Sequence, residues 1–287
     1  VGTNAEKHAR QKERRSRVDE ARRQVEAQAR RRRTLTIVGA VIAVLVVIGA
    51  IVALTGRDDS DGESADATST TTPDASTTTT AATGAPLPEP PPGITLTEPT
   101  ECPPADGSPE RVVKFAGPPP ECIDPEATYT ATFSTTQGDF TATLDSKAAP
   151  ETANNFVVLA RYGYYDGVPF HRVVPGFVIQ AGDGDGDPWG NNDLGYTIAD
   201  ELPADASQYV DYSLAMANSG PDTNGSQFFV VLPGGGAQLQ ALYSLFGQVT
   251  EGTEVVDAIA ALGTPAAAEP SEVVLIDSIT INETPAG

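Results

Sequence analysis

Residues 127–144 read ATYTATFSTTQGDFTATL, and this stretch decides the fold class. Tyr129, Ala131 and Phe133 alternate with hydroxyl residues, Gln137-Gly138-Asp139 is a turn signal, and Phe140, Ala142 and Leu144 alternate again. Period-two alternation puts the apolar side chains on one face of a pleated ribbon, so the stretch predicts a β-hairpin with one buried face. Downstream, Pro150 suits a first helical position, and Ala153, Phe156, Val157 and Ala160 follow at helical spacing. A second helix is predicted from a Thr253 cap through Val255, Val256, Ile259 and Leu262 to Gly263, and a last strand from Val273 to Ile281. Many short strands with two helices predict a mainly β domain, an antiparallel barrel whose ends the helices cover.

Upstream of this domain the chain changes character several times. Residues 1–33 hold 12 basic and 5 acidic side chains, and the remaining residues of the 287 carry a net charge of −28. A body so acidic repels phosphate backbones, because affinity for nucleic acid rests on Lys and Arg displacing counterions. Residues Leu35 to Leu54 contain no charge, and a helix of that length matches the roughly 30 Å hydrocarbon core of a bilayer. Arg30 to Arg33 precede the apolar run, while Arg57, Asp58, Asp59 and Asp61 follow it. The positive-inside bias then predicts a basic cytoplasmic head over 1–33, a single transmembrane helix over 34–56 and everything later outside the cytoplasm. A cleaved signal peptide fits less well, since its apolar region is shorter and its charged region briefer. Residues 57–100 are rich in Thr, Ser and Pro and lack aromatic side chains. Such a composition cannot offset the entropy of folding, which predicts a disordered tether spanning roughly 35–40 Å.

Cys102 and Cys122 are the two cysteines, and they bracket a Pro-rich lead-in over 101–126. Outside a membrane an even pair at this spacing predicts a disulfide, stabilising by about 3 kcal/mol in the chain-entropy description. With His8 and His171 as the only histidines, no zinc-ligand spacing is met and no metal or other cofactor is expected. Asp183-Gly184-Asp185-Gly186-Asp187 imitates the opening of a calcium loop. Pro188 and Leu194 occupy the positions that such a loop gives to glycine and glutamate, so a solvated acidic loop is expected instead.

Two segments of the domain, 127–283, say more than fold. One is FHRVVPGFVIQAGD over residues 170–183, and the other is MANSGPDTNGSQFF over residues 216–229. Together, and with Phe246-Gly247-Gln248-Val249 before the second helix, they resemble the signature stretches of the cyclophilin family of peptidyl-prolyl isomerases. The resemblance implies a closed eight-stranded antiparallel β-barrel capped by two α-helices. It also implies cis-trans isomerisation of Xaa-Pro bonds, with proline-containing polypeptides as partners. Arg172 matches the catalytic donor. Phe177, Val178, Phe229 and Leu239 match positions around the substrate proline, with Tyr243 where many members carry His. Gln180, Ala217, Asn218 and Gln227 match positions that hold the neighbouring substrate backbone.

The residues support this reading independently. Between Ala127 and Gly287 the only basic side chains are Lys147, Arg161 and Arg172. Arg172 stands among apolar residues, where an isolated cation is expensive to desolvate without a partner or a purpose. Rotating a peptide bond costs about 18–20 kcal/mol, and no proton needs to leave. No general base is required, so His171 is expected to be structural. A guanidinium that binds the twisted amide more strongly than the planar one lowers the barrier, and an apolar pocket excluding water reinforces it. The family often places Trp immediately before Leu239, whereas this chain has Gln238, so weak cyclosporin binding is expected. The whole reads as a membrane-anchored bacterial isomerase acting on exported or envelope proteins. A proline-peptide-binding or chaperone module on the same fold is the rival class, which fold alone does not separate.

Overall fold

The computed structural model describes residues 86–89, 91–185, 190, 193–264 and 268–286. The predicted head over 1–33, the membrane span over 34–56 and most of the tether lie outside these residues. Among the described residues no helix is long and apolar enough to cross a membrane.

Two short strands open the described chain. β1 (Ile94–Thr95) pairs in parallel with β2 (Val112–Lys114). Part of the stretch expected to be tether is packed: Thr100 is buried and donates to the Gly117 carbonyl at 2.8 Å. Cys102 and Cys122 form the expected disulfide, with their Cα atoms 5.4 Å apart.

The hairpin forms as its alternation dictates. β3 (Thr128–Thr135) and β4 (Gly138–Leu144) pair with Tyr129 opposite Leu144 and Phe133 opposite Phe140, and all four side chains are buried. Thr135 is opposite Gly138, so the turn is Thr136-Gln137, slightly ahead of the residues that signalled it. Helix α1 (Pro150–Arg161) starts at the expected proline. The short strands β5 (Val168–Pro169), β6 (Arg172–Val174), β7 (Val178–Ala181), β8 (Ser213–Met216) and β9 (Phe228–Val231) follow. The chain ends with β10 (Leu245–Glu251), α2 (Thr253–Ala261) and β11 (Leu275–Thr284). Helix α2 is not capped by Thr253. Its N-cap is Gly252, at φ 74, and a Cβ there would meet the Asp139 carbonyl oxygen at 2.5 Å. The close passage of the β3–β4 hairpin therefore selects glycine over a hydroxyl cap.

The nine strands β3–β11 form one curled antiparallel sheet in the order β5-β11-β3-β4-β10-β8-β9-β7-β6. The expectation of eight strands in a closed barrel needs correction. The edges β5 and β6 are joined by only Phe170 and His171, yet no ladder pairs them among the described residues. Pro169 makes up half of β5 and has no N–H to donate. The donors at the seam turn elsewhere: Phe170 N–H goes to the Val274 carbonyl at 2.9 Å, and Val173 N–H to that of Ala268 at 2.7 Å. At this seam the backbone donors are thus taken by the segment leading into β11 and not by a ladder between the two edges.

Inside the curl sits an aromatic core. Phe133 stacks on Phe140 at 4.4 Å, and Phe156 of α1 contacts Tyr165, Phe228 and Phe246 within 5.7 Å. Each of these rings is at most 1 % exposed. A second, smaller cluster of Val178, Tyr209, Ala215, Phe229, Val231 and Leu239 is separate from it. In β9 the clusters alternate residue by residue: Phe228 and Val230 belong to the first, Phe229 and Val231 to the second. The sheet is consequently apolar on both faces here, the inner face filled by the core and the outer face covered by the second cluster.

Candidate functional site

Strand register builds the site from one lateral row. Arg172 on β6 lies opposite Gln180 on β7, Gln180 opposite Phe229 on β9, and Phe229 opposite Ala215 on β8. Directly opposed residues of antiparallel strands share a face, so Arg172, Gln180, Phe229 and Ala215 line up on the outer face of the sheet.

Arg172 is half-buried, and its Nη1 donates to Gln180 Oε1 at 3.3 Å. Gln180 passes the polarity on: its Nε2 donates to Gln227 Oε1 at 3.0 Å. The guanidinium carbon also stands 5.8 Å from the centre of the Phe177 ring, a cation–π approach. The other two cations of the domain have carboxylate partners. Arg161 pairs with Glu283 at 3.1 Å and Lys147 with Glu126 at 2.9 Å. Among the described residues Arg172 makes no ion pair. Its charge is held by a neutral amide oxygen and an aromatic face, which leaves guanidinium N–H groups beyond the one given to Gln180.

That cluster supplies an apolar bed. Val178 and Phe229 are buried, Leu239 is 9 % exposed, and Phe177 and Tyr243 pack against them while half-exposed. The Phe229 and Tyr243 rings meet edge to face at 5.3 Å. Each wall is fixed from behind. The turn at Pro175-Gly176 ends with Phe177 N–H bonded to the Val174 carbonyl, and the Phe177 carbonyl in turn accepts from Leu232 N at 2.9 Å. A short 3₁₀ turn, Gly235–Gln238, delivers Leu239. Gln238, at the position where the family often has Trp, is exposed and donates to the Gly176 carbonyl at 2.9 Å. It braces the turn rather than adding an aromatic wall.

All ten residues assigned by resemblance are brought to this face. Phe177, Val178, Phe229, Leu239 and Tyr243 form the apolar bed, with Ala217 packed at its edge. Gln180, Ala217, Asn218 and Gln227 border an adjoining cavity of about 420 Å³, with Leu194 and Tyr196 along its border too. The Asn218 side chain is already committed, donating to the Leu242 carbonyl at 2.9 Å and accepting from Gly220 N at 3.3 Å. Three members of the bed, Tyr209, Ala215 and Val231, escaped the sequence reading. Tyr209 holds the Tyr243 backbone, its hydroxyl donating to the Tyr243 carbonyl at 2.7 Å and accepting from the Tyr243 N–H at 3.1 Å. Burial pushes the Tyr209 hydroxyl pKa up, which keeps it a donor. The only available signal was the alternation of β8 and β9, which marks Ala215 and Val231 as same-face neighbours of Phe229.

His171 is 8 % exposed, and its Nδ1 has no hydrogen-bond partner among the described residues. Burial first, and the adjacent Arg172 charge second, lower its pKa to about 4, so it is neutral at pH 7. The acidic loop departs from expectation at its start. Asp183 is fully buried rather than solvated, and its carboxylate accepts from Gly190 N–H. Among the described residues no group of three His, Cys, Asp or Glu is arranged to hold a metal ion.

Comparison with known proteins places this geometry. The model of the cyclophilin type peptidyl-prolyl cis-trans isomerase/CLD family matches residues 130–281. A probable peptidyl-prolyl cis-trans isomerase A of Mycobacterium leprae is 42 % identical over 170 residues, covering 53 % of this chain and 92 % of that protein. Peptidyl-prolyl cis-trans isomerase A of Mycobacterium tuberculosis is 41 % identical over 175 residues, covering 55 % and 94 %. Among solved structures, a cyclophilin type isomerase of Cryptosporidium parvum is 30 % identical with a TM-score of 0.49, covering 55 % of this chain and 99 % of that one.

Proposed function

Because the chain belongs to the cyclophilin-type peptidyl-prolyl cis-trans isomerase family, we propose that it turns Xaa-Pro bonds of exported or envelope proteins, with Arg172 binding the twisted amide. The chain is a peptidyl-prolyl cis-trans isomerase. The observation that carries the proposed mechanism is the state of Arg172: a half-buried guanidinium that has no carboxylate partner among the described residues and stands at the edge of an apolar bed. The proline ring rests on Phe229, Val178 and Leu239, walled by Phe177 and Tyr243. The Xaa–Pro amide lies under the guanidinium, and the flanking backbone runs past Gln180, Ala217, Asn218 and Gln227.

In the planar amide the nitrogen lone pair is delocalised and accepts nothing. As the bond twists, the lone pair returns to nitrogen and becomes an acceptor. A fixed guanidinium N–H therefore gains interaction energy only near the barrier, which is the condition for raising the rate. The Gln180–Gln227 chain holds Arg172 in place without neutralising it, unlike a carboxylate partner, which would spend its charge. His171, neutral at pH 7, takes no part in proton transfer.

The proposed setting is a bacterial envelope: head inside, one membrane span over 34–56, and the isomerase outside. The apolar run Leu35–Leu54 with its charge asymmetry supports it, and so does the Cys102–Cys122 disulfide, since such bonds persist in oxidising compartments.

A proline-peptide isomerisation assay on the full chain tests the mechanism. Arg172→Ala is expected to lower kcat/KM about 100-fold, the scale of losing one preorganised donor, while the Kd for a proline peptide shifts by less than about fivefold. Arg172→Ala turning over within about threefold of wild type would refute the assignment. External protease added to intact expressing cells is expected to cut the isomerase domain, and protection until lysis would overturn the proposed orientation.

A further inference from the structure

We infer that the segment Arg111–Phe115, which precedes the residues matched by the family model, is a specificity-determining arm that positions one wall of the cavity beside the proline bed. The inference rests on the substrate path proposed above, and it concerns which side chains that path accepts.

The contacts are concentrated on four consecutive residues, 193–196. Phe115 N–H donates to the Leu194 carbonyl at 3.0 Å. The Phe115 carbonyl presses on Gly195, where a Cβ would lie 2.1 Å from that oxygen and φ is +96. Lys114 pairs with the Asp193 carboxylate. The Phe115 ring, 3 % exposed, meets Tyr196 edge-on at 6.1 Å and Tyr162 at 5.5 Å. Leu194 and Tyr196 are cavity-lining residues. One short backbone stretch is thus shared, with Phe115 and Lys114 against it and the cavity bordered by its Leu194 and Tyr196.

The arm's base is equally tied down. The half-buried Arg111 guanidinium donates to three carbonyls: Pro91 at 2.7 Å, Tyr164 at 2.9 Å and Gly184 at 2.7 Å. Adjacent asparagines of α1 join the two ends of the system. Asn154 accepts from Cys122 N at 2.7 Å and donates to the Pro120 carbonyl at 2.8 Å, holding the disulfide end of the arm. Asn155 accepts from the Tyr196 hydroxyl at 2.6 Å and donates to the Gly225 carbonyl at 2.8 Å. Gly225 also lines the cavity. Phe115 therefore fixes Tyr196, and Tyr196 through Asn155 fixes the spacing to a second lining residue.

Without Phe115 and Lys114 against it, this loop wall would open locally at lower cost. Held by the arm, it meets the substrate already ordered, and discrimination among flanking side chains survives because the cavity keeps its shape. Arg111 and Phe115 touch no part of the proposed proline bed, so they act by positioning, and the effect falls on KM differences among substrates.

The test uses the full chain and Ala-Pro peptides carrying Gly, Leu or Lys at each flanking position. Wild type is expected to show a spread in kcat/KM across the set. Phe115→Ala narrows that spread about threefold or more through KM, with kcat on the all-Gly peptide within about twofold, and Phe115→Leu restores at least half of it. Should Phe115→Ala lack a native near-UV circular dichroism spectrum, the folded Phe115→Leu variant is expected to show a smaller narrowing in the same direction. A spread absent in wild type, unchanged or widened in the folded variants, or a uniform fall of all peptides through kcat, overturns the inference. Failure of the site reading is separable, because it shows as wild-type turnover that does not depend on Arg172.

Discussion

Phe228 and Phe229 are neighbours on one strand, 0 % and 4 % exposed, yet they belong to different machines. Phe228 packs inside the curl against Phe133, Phe156 and Tyr165. Phe229 faces outward into the small cluster with Val178, Leu239 and Tyr243, in line with Gln180 and Arg172. The interior rings interlock on every side and leave nothing for a ligand to occupy. The outer ring is buried by a smaller cluster in which strand residues Val178, Ala215 and Val231 meet Leu239 and Tyr243 from the loops. Equal burial therefore does not mean equal role, and the strand's period of two assigns the roles.

Breaking each side separately shows the difference. The largest effect is expected from Phe228→Ala, which leaves a void that its close-packed neighbours cannot fill, at about 3–5 kcal/mol of unfolding free energy in urea titrations. Next comes His171, at the seam between β5 and β6. An unfolded His171 takes up its proton near the ordinary 6.5, whereas the folded imidazole waits until about 4. Between those values the unfolded state binds more protons, so this contribution is intact above pH 6.5 and is lost as pH falls towards 4. The loss is on the order of 3 kcal/mol, and His171→Gln should remove that part of the pH slope in denaturation midpoints measured from pH 7 to pH 4.5.

Phe229→Ala should cost less stability, about 1–3 kcal/mol, because water can enter the dent it leaves. Its kcat/KM should nonetheless fall about tenfold or more, an effect that Phe228 variants still folded at the assay temperature should not reproduce. The smallest effect is expected at the rim. Gln238→Trp, at an exposed site, should change stability by less than about 0.5 kcal/mol and turnover by less than about threefold. It should tighten cyclosporin binding about tenfold in titration calorimetry, since a rigid indole adds contact area to the bed. Unchanged affinity would show that the side chain at 238 does not govern cyclosporin binding.

The sequence made the interior legible and the seam illegible. The β3–β4 hairpin, α1 and the disulfide follow from alternation, from Pro150 and from cysteine spacing, all local signals. The closure of the sheet does not, because it depends on whether two distant edges pair. The two-residue strand ending in Pro169, with carbonyls of Val274 and Ala268 taking the seam donors, decides that question through tertiary contacts. Thr253 looked like a helix cap because the approach of the Asp139 carbonyl to Gly252 cannot be read from either segment alone. Asp183 looked solvated for the same reason, its burial arising from the packing of the chain around it. At the site, the motif residues Arg172, Val178, Gln180 and Phe229 share the outer face through the period of two of their strands, while their motif neighbours Val173, Ile179 and Phe228 go to the core. Tyr209 did not reveal itself, since it lies outside both motifs and acts by clasping the backbone of Tyr243.

The carbonyls that end α1 carry a practical consequence. Ser108 N–H reaches the Arg161 oxygen at 2.7 Å, Val112 N–H that of Tyr162 at 3.0 Å, and Arg111 that of Tyr164. An expression boundary drawn at residue 130, where the family match starts, would strip these donors and uncover the apolar ground beneath Val112, Phe115 and Ile123. Whoever trims the gene to its recognisable part would purify a different molecule, prone to clump and blunter in its choice of substrate.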